Sequence, residues 1–94
     1  MPAQIDVVAS RKGSRWECQV RVAEAGGRTT HRVVVEEADR NRLVGAAVPV
    51  ERLVEKSFEF LLAREPKESI LRAFDLPVIA RYFPEYEREI RTMV

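Results

Sequence analysis

The chain has 94 residues, 46% of them hydrophobic, and sixteen basic against fifteen acidic side chains leave a formal net charge of +1. That length fits one domain with a core of its own, spanning residues 1–94, while so even a balance excludes the polyelectrolyte surface that phosphate backbones select. A single cysteine excludes an internal disulfide, and no apolar run approaches the roughly 18–20 residues of a membrane span.

The amino terminus, Met1-Pro2-Ala3-Gln4-Ile5-Asp6, has neither the basic n-region nor the apolar h-region of a secretory signal, so the cytoplasm is the expected compartment. The first half reads as a three-stranded antiparallel meander with strands at about 4–10, 15–24 and 28–36. Trp16, Cys18, Val20 and Val22 alternate with Glu17, Gln19, Arg21 and Ala23, and His31, Val33 and Val35 with Arg32, Val34 and Glu36. A two-residue turn centred on Gly26-Gly27 pairs Val22 with His31, Val20 with Val33 and Cys18 with Val35. Centring the earlier turn on Lys12-Gly13 pairs Ala9 with Trp16, Val7 with Cys18 and Ile5 with Val20, so all three strands turn their apolar residues to one face.

Glu36 to Leu43 reads as a short helical turn or loop ended by Gly45. A helix over about 50–64 follows, because Val50, Leu53, Val54, Ser57, Phe58, Leu61 and Leu62 recur at helical spacing opposite Arg52, Glu55, Lys56 and Glu59. Pro49 suits its first turn, and Pro66 stops it. With Phe60 on one flank, its apolar arc spans roughly 200°, wider than one sheet covers. The remainder has to meet the carboxy-terminal helices, a second subunit, or both. Short helices are expected at about 66–74, with Ile70, Leu71 and Phe74 inward, at 76–83, with Asp75 as N-cap, and at 84–92. Ile79, Tyr82, Phe83, Tyr86 and Ile90 continue the helical spacing across Pro84, which either kinks one helix or starts another. The fold class is therefore α+β, a three-stranded antiparallel sheet packed on one face by a long helix and two or three short ones.

No motif assigns an activity. A thiol beside an imidazole is a potential nucleophile, but the register above separates His31 from the position facing Cys18 by four pairs, roughly 13 Å. One histidine and one cysteine fall short of a zinc ligand set. The glycines fit turns rather than a phosphate cradle, and Glu85, Glu87 and Glu89 diverge around a helix. No catalytic residue, metal or cofactor is expected. On the polar sheet face the register sets Arg21 opposite Arg32 with Arg15 nearby, a repulsive pair that Asp6 offsets or an anionic partner does. Residues 66–83 have the size of a helix-turn-helix, but Arg81 alone would reach DNA from its second helix.

The runs Ser57-Phe58-Glu59-Phe60-Leu61-Leu62, Arg64-Glu65-Pro66-Lys67-Glu68-Ser69-Ile70-Leu71, Phe74-Asp75-Leu76 and Arg81-Tyr82-Phe83-Pro84-Glu85-Tyr86 are similar to a family of small bacterial proteins, a resemblance that implies no activity. The three-strand start followed by Val35-Glu36-Glu37-Ala38 loosely resembles the HicB-type antitoxins. That family carries a fourth strand and often a separate DNA-binding tail, neither of which the periodicity locates. The expected function is that of a non-catalytic protein-interaction module, a homodimer joined through leftover apolar surface at Phe58, Phe60 and Leu62 or through a free sheet edge. The alternative is an antitoxin-like, nucleic-acid-associated regulator using Arg15, Arg21 and Arg32, although the charge balance disfavours nucleic acid as a partner, and no membrane partner is expected.

Overall fold

The computed structural model describes residues 3–24 and 26–94. Along the chain run β1 (Gln4–Lys12), β2 (Arg15–Glu24), β3 (Gly27–Glu36), α1 (Glu37–Val44), α2 (Val50–Leu62), a single 3-10 turn at Lys67–Ser69, β4 (Ala73–Asp75), α3 (Val78–Tyr82) and α4 (Tyr86–Met93). The class is α+β, and the sheet has four strands in the order β1-β2-β3-β4. The first three form the expected antiparallel meander, and β4 adds parallel to β3.

The two ladders are each displaced by two residues from the expected register. Lys12 faces Arg15, so the first turn is Gly13-Ser14, with Val7 opposite Val20 and Ala9 opposite Cys18. Gly13 has φ 63°, and among the described residues no non-glycine has a positive φ, which fits a turn that needs glycine at its first central position. Glu24 faces Gly27, so the second turn is not centred on Gly26-Gly27; Ala25 lies outside the described residues. The Gly26-Gly27 centring therefore gives way to pairs of Cys18 with Val33, Val20 with His31 and Val22 with Thr29. A two-residue displacement leaves every side chain on its expected face, so alternation alone does not detect it.

The new register removes the Arg21–Arg32 pair. Arg21 stands between Asp6 and Thr30, and Arg32 stands opposite Gln19. It also brings Cys18 and His31 from four pairs apart to diagonal neighbours, about 7–8 Å by ladder geometry.

Val50–Leu62 forms the expected long helix, ending two residues short of Arg64. The Pro49 carbonyl accepts from Arg52 and Leu53 at 3.1 and 3.2 Å, and the Arg64 guanidinium returns to the Phe60 carbonyl at 3.1 Å. Residues 37–44 are helical and stop at Gly45, whose φ of 90° leaves the helical region.

The helix expected at 66–74 does not form, and with it goes the two-helix DNA-reading element. After the single 3-10 turn, the chain beyond Ser69 is drawn out along the open edge of β3: the Arg32 N–H donates to Arg72 O at 2.8 Å and the Leu76 N–H to Val34 O at 2.9 Å. This is the fourth strand that the sequence pattern does not show. Asp75 belongs to it and is not a helix cap; Pro77 takes that position before α3. Phe83, with φ −132° and ψ 89°, ends α3, so Pro84 separates two helices and does not kink one.

All helices are short of a membrane span among the described residues. A single cluster of buried apolar side chains lies between the sheet and the helices. The wide arc of α2 is covered from both sides by this chain's own residues. Phe58 stands 5.2 Å from the His31 ring and 6.2 Å from Phe74, while Phe60 stands 5.2 Å from Tyr86 and 5.9 Å from Phe83.

Candidate interaction surfaces

The reactive side chains of the interior are occupied with packing. Cys18 is fully buried, and burial first, with Glu51 adding to it, pushes the thiol up to about 11, so it stays protonated at neutral pH. His31 is 1% exposed. Its Nδ1 lies 2.8 Å from the Leu71 carbonyl and its Nε2 2.8 Å from Thr29 Oγ1. A carbonyl only accepts, so Nδ1 carries the proton and the threonine hydroxyl donates to Nε2. Burial lowers the histidine's affinity for a second proton, the bond to Leu71 opposes this, and Arg72 adds to the lowering. Both ring nitrogens are thus engaged, and the imidazole ties β3 to the approach to β4.

A second buried polar link joins α2 to α4. Ser57 Oγ donates to the Leu53 carbonyl at 2.7 Å, which uses its only proton, so the Tyr86 hydroxyl 2.6 Å away donates to Ser57. Tyr86 is fully enclosed, and burial, the largest influence, raises its pKa further above the ordinary phenol value. Lys67, 7% exposed, pairs with Glu68 at 2.8 Å and Glu24 at 3.4 Å and pins the β2–β3 hairpin to the 3-10 turn. No group of three or more His, Cys, Asp or Glu side chains among the described residues is placed to hold a metal ion.

The self-association surface expected at Phe58, Phe60 and Leu62 is not a surface. Phe58 is 0% and Phe60 2% exposed inside their own chain, and only Leu62 is half-buried. The apolar surface that is free lies elsewhere. An open groove of about 280 Å³ runs between the end of α2, the approach to β4, and α3, over Leu61, Ile70, Phe74 and Phe83. Leu71, 47% exposed, and Tyr82, 67% exposed, also line it. The spacing places both inward; Leu71 is turned out because its segment is drawn toward β4 and is not helical, and Tyr82 because α3 ends there and does not continue its face into α4. Beside the groove runs the outer edge of β4, the last strand of the sheet.

The opposite edge is β1, nine residues long. The remaining candidate is the sheet face away from the helices, where Arg15, Arg21 and Arg32 all lie exposed. They are not brought into a cluster. Arg21 faces Asp6, Arg15 lies between Lys12 and Glu36, and Arg32 is flanked diagonally by Glu17. Cross-strand alternation of sign makes this face mixed in charge.

Comparison with protein-family models, curated proteins and solved structures finds no match. The surfaces of this chain are therefore read from its own geometry.

Proposed function

We propose that this protein is a non-catalytic, homodimeric interaction module that takes an apolar segment of a partner protein into the groove between α2, β4 and α3. The observation that carries this reading is the pair Leu71 and Tyr82, large apolar side chains kept in solvent at the rim of an apolar groove on a molecule that otherwise buries its core. Support for the absence of catalysis comes from the two reactive side chains, a protonated buried thiol and an imidazole with both nitrogens engaged. The test is selection of a displayed random-peptide library on the immobilised protein. Enrichment of apolar sequences, abolished by Leu71→Asp and by Tyr82→Asp with the circular dichroism unchanged, is the expected result. Enrichment no greater than on an unrelated protein overturns the groove as a binding site.

A second reading, a regulator of antitoxin type that contacts nucleic acid through Arg15, Arg21 and Arg32, draws on one observation, the fourth strand that the resemblance to HicB-type antitoxins calls for. The mixed charge of the sheet face weighs against it. Titration with nucleic acid at low salt decides between the two, because charge-driven affinity is greatest there and its absence ends the second reading.

A further inference from the structure

The hairpin geometry fixes which backbone groups β1 turns outward. Lys12 and Arg15 close a two-residue turn and form a hydrogen-bonded pair, so Ser10, Val8, Asp6 and Gln4 also bond to β2, at alternate positions. The same alternation carried across the sheet turns the amide of Arg32 and the carbonyl of Val34 toward β4, where both are bonded. Ile5, Val7, Ala9 and Arg11 are left with amides and carbonyls directed off the sheet, and no backbone bond reaches them from any other element among the described residues. In the middle of these nine residues stands Val8, 66% exposed, on the face that no helix covers.

We infer that two copies of this chain join edge to edge through β1, antiparallel, with the two-fold axis at Val8, forming one continuous sheet. This rests on the homodimeric reading above and assigns its interface. An antiparallel pair keeps side chains of like orientation opposite each other, and pairing about Val8 engages all nine residues. On the open face Val8 meets Val8 of the second copy, Asp6 meets Ser10, and Asp6 lies diagonal to Lys12. On the helix side Val7 meets Ala9, and Arg11 meets Ile5. Beside Ile5 and Val7 lies a groove of about 430 Å³ whose α2 wall carries Glu51 and Glu55 with Arg52 between them. Neither glutamate has an ion-pair partner within 4.0 Å among the described residues. Arg11, which in its own chain makes an exposed ion pair with Glu37 at 3.1 Å, is brought by the pairing beside the two glutamates of the second copy. The basic end of β1, which guards the edge against unrelated strands, is complementary to the other end of the same strand. Displacing the axis to Val7 removes this match, because it sets Val8 against Asp6 twice.

Disulfide trapping reads the register directly. Val8 on the axis forms a non-hydrogen-bonded pair with Cα atoms about 4.5 Å apart, within the span of a disulfide, and the buried Cys18 does not compete. Sedimentation of the wild type at several concentrations is combined with mild oxidation of Val8→Cys, and of Asp6→Cys and Ser10→Cys alone and mixed. The expected result is a dimer mass, covalent linkage of Val8→Cys, and linkage of the Asp6→Cys and Ser10→Cys mixture with neither linking to itself. A wild-type dimer whose Val8→Cys form stays unlinked overturns the β1 pairing and leaves the dimer to another surface. A monomer at every concentration overturns the dimer and the pairing together.

Discussion

The sheet and the carboxy-terminal segments are held by different means. β1, β2 and β3 are joined by two continuous ladders in which nine and ten residue pairs share the load. Residues beyond α2 have three paired strand positions and, besides packing on the core through Ile70, Leu76, Ile79, Tyr86 and Ile90, are tied by single polar contacts such as His31 to Leu71, Tyr86 to Ser57, Lys67 to Glu24, and Arg64 to Glu85 and Glu89. Redundancy makes the first region tolerant, and reliance on individual buried contacts makes the second sensitive to single substitutions.

The largest effect comes from the residue that serves both regions. Phe58 packs on His31 of the sheet and Phe74 of β4, and Phe58→Ala destabilises the protein by about 3–5 kcal/mol in urea unfolding. If that loss appears only in probes of the carboxy-terminal segments, the two regions unfold separately.

His31→Leu comes next, costing about 1–3 kcal/mol because the Leu71 carbonyl and the Thr29 hydroxyl lose their partner. The same histidine sets a pH dependence. Its folded pKa lies below the ordinary 6.5, so the unfolded chain binds the extra proton first as pH falls. The stability that neutral His31 contributes is complete above 6.5 and is lost as pH falls through the lower folded value. Urea unfolding at a series of pH values shows this slope just below 6.5 in the wild type and its absence in His31→Leu.

Tyr86→Phe has the smallest effect, about 1 kcal/mol, because Ser57 keeps its bond to Leu53 and no donor is stranded. A thermal shift much larger than this means that the phenol orders α4 beyond its one hydrogen bond.

The difference between the regions also explains which features are legible in sequence. Alternation from Ile5 to Val35 reports faces because solvent and core impose it residue by residue. Register is carried by two turns whose glycines fit more than one centring, and Gly26-Gly27 invites a centring that the pairing of Glu24 with Gly27 rules out. β4 is invisible because three residues, Ala73–Asp75, carry no periodicity and owe their conformation to a neighbour far away in sequence. The arc on α2 is visible, but what covers it is not: Phe60 meets Tyr86 and Phe83, residues brought there by the break at Pro84. Within the proposed groove, Tyr82 and Leu71 share the spacing of core residues, and only the break and the strand turn them outward.

The parallel placement of β4 has a kinetic side. Each hairpin of the meander closes locally, a microsecond event, whereas His31 and Leu71, whose carbonyl anchors the fourth strand, are forty positions apart. That closure must await docking of α2 and carries the loop entropy of the whole crossover. In pulse-labelled hydrogen exchange during refolding, the amide of Arg32 therefore gains protection after those of β2, and the last strand to arrive sets the pace at which the molecule becomes native.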